Sequence, residues 1–152
     1  MELVSYDPKY RQKFIELNTA WIKNNFGFLE DEDIKTFQKI EKEIAKGAMI
    51  FFALENSIVL AACMTRPISK DTWEICKLAT DEQYRRQGAG SKLFKKCMEY
   101  AIENNAKRLF IISNSKLKPA LHIYQKYGFI EIKLDDYEYS RGDIAFEYIV
   151  ES

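Results

Sequence analysis

Two glycines one residue apart, Gly88 and Gly90, stand where the chain changes its apolar period. Upstream, TWEICKLAT (72–80) alternates loosely around a β-compatible core. Downstream, Leu93, Phe94, Cys97, Met98, Ala101 and Ile102 recur at helical spacing with lysines between them. The segment predicts strand, glycine turn, helix. The first N–H groups of a helix lack internal partners and carry the positive end of its macrodipole, so such a turn is also a backbone cradle for an anion. The same glycines would form a tight turn without any ligand.

The rest of the chain fits a layered arrangement around that unit. MELVSY is short and extended, and Asp7-Pro8 then opens a helix on which Tyr10, Phe14, Leu17 and Trp21 share a face. EDEDIKTFQKIEKEIAKG begins with acids, ends at Lys46-Gly47 and places Ile34, Phe37, Ile40 and Ile44 on one side, which predicts one second helix. AMIFFALE and IVLAACMTRP, split by Asn56-Ser57, read as a buried hairpin. RLFIIS reads as a strand, KPALHIYQKYG as a short helix closed by Gly128, and FIEIKL and IAFEYIV as two last strands. No linker or repeat interrupts the order β-α-α-β-β-β-α-β-α-β-β, so a single mixed α/β domain over residues 1–152 is expected.

Composition narrows the function. Lysine plus arginine number 23 and so do aspartate plus glutamate, which leaves no bulk positive field for nucleic acid or an anionic membrane. The three cysteines, Cys63, Cys76 and Cys97, sit in apolar surroundings without CxxC spacing, so reduced buried thiols are expected rather than disulfides or a metal site. No apolar leader follows Met1, and no run of about 18 apolar residues occurs, which predicts a cytoplasmic, soluble protein.

The glycine stretch departs from the two commonest nucleotide fingerprints. A Walker loop needs glycine where Ser91 precedes Lys92, and a Rossmann loop needs it where Leu93 stands. Arg85-Arg86-Gln87-Gly88-Ala89-Gly90 instead resembles the Arg/Gln-x-x-Gly-x-Gly/Ala motif of the GNAT family of N-acetyltransferases. NSKLKPALHIYQKYGF is similar to a second block of that family through Asn114, Ala120, Tyr124, Gly128 and Phe129. The two blocks lie in the family's order, and the resemblance spans almost the whole chain.

The resemblance implies the GNAT fold, a mostly antiparallel twisted sheet of about seven strands with the fourth and fifth splayed apart, flanked by about four helices. It implies acetyl-CoA as co-substrate and coenzyme A as product. Backbone N–H groups of Gln87, Gly88, Ala89, Gly90 and Ser91 would hold the pyrophosphate, with charge from Arg85 and Arg86. The main chain of Leu78, Ala79 and Thr80 would pair with the pantetheine arm as an added strand does, and Asn114 would bond to the same arm.

The chemistry so implied is direct attack of a neutral amine on the thioester in a ternary complex. Tyr124, at the family's tyrosine position, is the candidate acid for the departing thiolate. It also shares an apolar helical face with Leu117, Ala120 and Leu121 and can be read as core. Glu74, eleven residues before Arg85, is the candidate base; a solvated strand residue, a partner for Lys77 or a water chain are alternatives. His122 reads as a surface histidine, and nothing near Cys63 or Cys76 lowers their pKa for a ping-pong route.

The acceptor amine, of a small molecule, an amino acid or a protein, would meet NNFGFLEDED and DDYEYSRGD. There Phe26, Phe28, Tyr137 and Tyr139 stand beside Glu30, Asp31, Asp135 and Asp136, and Arg141 offers a carboxylate partner instead. The acyl chain accepted beyond acetyl and association as a homodimer stay open. A non-catalytic acyl-CoA-binding sensor module is the alternative class, which the retention of Asn114 and Tyr124 disfavours.

Overall fold

The structure, a computed structural model, describes residues 1–84, 88–134 and 141–151. Its strands are β1 (Glu2–Ser5), β2 (Met49–Glu55), β3 (Ile58–Pro67), β4 (Thr72–Thr80), β5 (Arg108–Ser113), β6 (Ile130–Ile132) and β7 (Ile144–Ile149). Together they form one seven-stranded sheet in the order β1-β2-β3-β4-β5-β7-β6. Every neighbouring pair is antiparallel except β4 and β5, which are parallel and joined through a crossover helix. The helices are α1 (Arg11–Phe26), α2 (Asp31–Gln38), α3 (Ile40–Ala45), α4 (Ala89–Glu103) and α5 (Lys118–Lys126). None among the described residues is long and apolar enough to cross a membrane.

Each face of the sheet carries its own core. On one side Phe14 and Leu17 of α1, with Phe37 and Ile40, pack on Ile50, Phe52 and Met64. On the other, Leu93, Phe94 and Cys97 of α4 and Tyr124 of α5 cover Phe51, Cys63, Ile75 and Leu109. Because helices cover both faces, β2 and β3 read as continuous apolar runs rather than alternating ones. Each large side chain so buried contributes about 1.5–3 kcal/mol. The β2–β3 turn is Asn56-Ser57, with φ of 51° and 69°. Two left-handed residues in a row match the strands' twist.

The expected second helix is two. Lys39, at φ −114° and ψ 19°, ends α2 and begins α3. The Thr36 hydroxyl donates to the Glu32 carbonyl at 3.0 Å, and the Lys39 N–H turns back to the Thr36 carbonyl at 3.2 Å. A threonine bonded back to its own helix weakens it there, and the break lets Phe37 and Ile40 both reach the core. The described residues therefore hold five α-helices where about four were expected.

The loose alternation in β4 also has a physical cause. Its register with β3 jumps between the Cys76–Met64 and Ala79–Ala62 pairs, so Lys77 and Leu78 together oppose Cys63. Lys77 sits at φ 55°, a conformation that costs a non-glycine residue about 1–2 kcal/mol. The bulge reverses the strand's phase. Trp73 and Ile75 face α4 before it, and Leu78 faces α4 after it, while Ala79 turns to the α1 side.

Candidate active site

The parallel ladder between β4 and β5 is short. It pairs Thr72 with Arg108, Trp73 with Leu109 and Glu74 with Phe110, after which β4 runs on to Thr80 and β5 to Ser113 with no register between them. Their facing main-chain groups are thus left for something other than the sheet. Two adjoining cavities lie at the divergence. An inner one of about 100 Å³ is lined by Glu74, Cys76 and Lys77 of β4, Ser113 and Asn114 of β5, Tyr124 of α5 and Asn18 of α1. An outer one of about 520 Å³ is lined by Thr80, the Gly88–Ser91 turn, Lys116 and Ile123. Trp21, Leu78, Leu117 and Ala120 line both.

The outer cavity is a backbone site. Gly88 caps α4 at φ 79°, in the left-handed region, and no side chain caps that end. The first N–H to close a helical bond there is that of Lys92, onto the Gly88 carbonyl at 3.1 Å. The N–H groups of Ala89, Gly90 and Ser91 are therefore the free donors of a helix start, at the wall of the cavity. Gly90 is less constrained than Gly88. A Cβ there would lie 3.8 Å from Ile123 Cδ1 and from Thr80 Oγ1, ordinary contact distances. Lys126 Nζ donates to Ser91 Oγ at 3.2 Å, which sets an ammonium beside the helix start that the sequence motifs did not reveal. Of the strand residues expected here, Leu78 and Thr80 line the cavity, whereas the Ala79 side chain is buried toward α1. Arg85, Arg86 and Gln87 lie outside the described residues.

The inner cavity is built from side chains. Tyr124 is buried between Phe94 and Phe146, with ring centroids at 5.3 and 5.5 Å. Burial pushes its phenol up to about 12, while the Ser113 side chain pulls the other way. Glu74 is only 2% exposed, which excludes the solvated-strand alternative. Its partner is Arg66, its direct neighbour on β3, through Nε at 2.9 Å and Nη2 at 2.8 Å, both to Oε1. Lys77 pairs elsewhere, with Asp33 at 2.5 Å.

That second pair belongs to a cluster without a sequence signal. Asp33, near the start of α2, is fully buried and accepts Arg141 Nη1 at 2.8 Å, Arg141 Nη2 at 2.7 Å, Lys77 Nζ and the Glu30 N–H at 2.8 Å. Burial raises its carboxyl, but the Arg141 and Lys77 contacts outweigh that and hold it at about 2. Arg141 also reaches Glu30 Oε2 at 3.2 Å. Glu30 and Arg141, read from sequence as alternative acceptor contacts, thus bind each other. Asn114 Oδ1 accepts the Lys116 N–H at 2.9 Å, and its Nδ2 donates to the Arg141 carbonyl at 2.7 Å, leaving one amide hydrogen over. Phe26 lines the inner cavity and Phe28 is exposed. Asp135, Asp136, Tyr137 and Tyr139 lie outside the described residues.

The remaining candidates fall away from the chemistry. His122 is exposed on α5. The three cysteines are free thiols. Cys76 borders the inner cavity, but burial, with the Glu74 charge, pushes its thiol up to about 12, far from a nucleophilic thiolate.

Comparison with known proteins agrees with this architecture. The family model described as acetyltransferase (GNAT) family matches residues 14–129. Streptothricin acetyltransferase A of Bacillus subtilis is 30% identical over 132 residues, 84% of this chain and 72% of that protein. An N-alpha-acetyltransferase of Sulfurisphaera tokodaii is 33% identical over 73 residues, 47% of this chain and only 44% of that protein. Among solved structures, yncA from Salmonella typhimurium, determined with its cofactor acetyl-CoA, superposes with a TM-score of 0.83 at 13% identity, covering 100% of this chain and 95% of the other. The chain belongs to the GNAT acetyltransferase family.

Proposed function

We propose that this protein transfers an acetyl group from acetyl-CoA directly to an amine. The observation that carries the reading is the divergence of β4 and β5 past Glu74 and Phe110, which sets a wide groove at a helix start beside a small chamber lined by Glu74 and Tyr124. A pyrophosphate suits the free N–H groups of Ala89, Gly90 and Ser91 together with the Lys126 ammonium; Arg85, Arg86 and Gln87 are proposed to add to that cradle. The pantetheine arm lies along Leu78, Ala79 and Thr80 as an added strand, and the remaining amide hydrogen of Asn114 faces it. The bound acetyl-CoA of yncA and the names of the two relatives support the choice of donor and reaction.

In this reading the amine attacks the thioester carbon. The N–C bond forms, the C–S bond breaks, Glu74 accepts a proton from nitrogen and Tyr124 gives one to sulfur. A phenol near 12 stays protonated throughout the physiological range and so is always a donor. It is a weaker acid than a free thiol of pKa about 8.5, yet the burial that disfavours tyrosinate disfavours a naked thiolate equally, which narrows the gap. The test is coenzyme A release measured with acetyl-CoA and a panel of small amines, amino acids and peptides with free N-termini. Release with at least one acceptor is expected. Tight acetyl-CoA binding without turnover across the panel would return the protein to the sensor class.

A further inference from the structure

Asn18 is a carboxamide in a position built for an apolar side chain. It lies mid-way along α1, with Phe14 and Ile22 four residues to either side, all three at 1% exposure or less. Its Nδ2 donates to the Phe14 carbonyl at 3.1 Å. A carbonyl only accepts, so the atom facing it is the NH2 group and the other is Oδ1. Oδ1 has no hydrogen-bond donor among the described residues, and Asn18 lines the inner cavity. Glu74, which lines the same cavity, repeats the pattern. Both contacts from Arg66 fall on Oε1, so Oε2 too has no donor among the described residues.

Resting on the transferase reading above, we infer that Asn18 Oδ1 and Glu74 Oε2 form a paired acceptor that selects primary amines and orients the attacking nitrogen. Two acceptor oxygens that open on one cavity without donors call for one small group that carries two hydrogens. A neutral primary amine has two, plus a lone pair free to point at the thioester; a secondary amine or a hydroxyl has one. The stoichiometry of the reaction then assigns the two oxygens different tasks. As the N–C bond forms and the C–S bond breaks, the hydrogen on Glu74 Oε2 leaves nitrogen as a proton, Tyr124 protonates the sulfur, and the hydrogen on Asn18 Oδ1 stays in the amide product. A secondary amine gives its only hydrogen to Glu74 and leaves Asn18 unsatisfied.

The test pairs each primary amine, among them an aralkylamine, a diamine and an amino-acid amide, with its N-methyl counterpart, in wild type and in Asn18→Leu. Leucine keeps the branched four-atom skeleton of asparagine without its polar atoms, and the Phe14 carbonyl keeps its place in the α1 hydrogen-bond ladder. Wild type should favour the primary amine by at least about tenfold in kcat/KM. In Asn18→Leu the primary-amine value should drop about tenfold, the secondary-amine value should change little, and the acetyl-CoA Kd should hold. A merely structural role would lower both amines alike and preserve the ratio, which would overturn the inference. A wild-type ratio near one would overturn it without any variant. Failure to release coenzyme A with every primary amine, while acetyl-CoA binds, would overturn the transferase reading itself and this inference with it.

Discussion

The outer groove and the inner chamber are neighbours made of different material. The groove presents main chain: helix-start N–H groups, a left-handed glycine and the open edge of a strand. The chamber presents side chains brought from α1, β4, β5 and α5, with the Asp33–Lys77–Arg141 cluster at its border. A backbone site tolerates most side-chain changes and responds to φ and to added Cβ atoms. A side-chain site tolerates backbone adjustment and responds to single atoms. If the division is correct, mutations should separate affinity for acetyl-CoA from turnover.

The largest effect should come from the chamber. Tyr124→Phe deletes one oxygen and keeps the ring packed between Phe94 and Phe146, so no cavity opens. Turnover should fall about 100-fold, equivalent to about 2.7 kcal/mol, with acetyl-CoA affinity and melting temperature nearly unchanged. The deficit should shrink with an acyl donor whose leaving thiol is more acidic. Equal turnover with every donor would make Tyr124 a packing residue.

How much of this the sequence disclosed follows the same division. The groove was legible because it depends on local order: a strand, Gly88 and Gly90, and an amphipathic helix are contiguous, and their geometry follows from the residues themselves. The chamber was legible only where a single residue matched a family position, as with Tyr124 and Glu74. Asp33 meets Lys77 from 44 residues away and Arg141 from 108, separations over which no spacing rule operates. The α2–α3 break escaped because the acid-rich segment has unbroken helical periodicity, and only the side-chain bond of Thr36 and the demands of the core override it. Asn18 did carry a signal, a polar residue flanked at four-residue steps by Phe14 and Ile22 on a buried helical face.

The ionic cluster offers the next test, through pH. Asp33 has a folded-state carboxyl depressed from 3.8 to about 2, so the folded protein releases this proton more readily than the unfolded chain. Its contribution is full above about pH 4 and declines as pH falls toward 2, up to about 2 kcal/mol. Urea unfolding at pH 5 and pH 2.5 should show that loss. Asp33→Asn should be less stable at pH 5 but flatter over the same interval. Parallel profiles for the two proteins would place the acid sensitivity elsewhere.

Gly88→Ala moves the test to the groove. An alanine at φ 79° costs about 1–2 kcal/mol in the left-handed region, or shifts the turn away from it. Acetyl-CoA affinity should weaken at least tenfold, about 1.4 kcal/mol, by titration calorimetry. Turnover at saturating acetyl-CoA should stay near wild type, the reverse of Tyr124→Phe. A parallel loss of turnover would show that groove and chamber are not separable.

Gly90→Ala should have the smallest effect and the most specific meaning. The position is helical, its new Cβ meets Ile123, Thr80 and Leu78 only at 3.8–3.9 Å, and replacing a helical glycine by alanine adds about 0.5–1 kcal/mol of stability. In the free protein nothing objects to the methyl group, so melting temperature should hold or rise. The backbone N–H is retained as well. Any loss of acetyl-CoA affinity then reports the methyl group meeting the ligand itself, and about fivefold, close to 1 kcal/mol, is expected if the phosphates approach the main chain at this residue. Unchanged affinity in a more stable protein would mean that the second glycine serves the turn alone, and that the anion rests on the N–H groups of Ala89 and Ser91 without close approach at position 90.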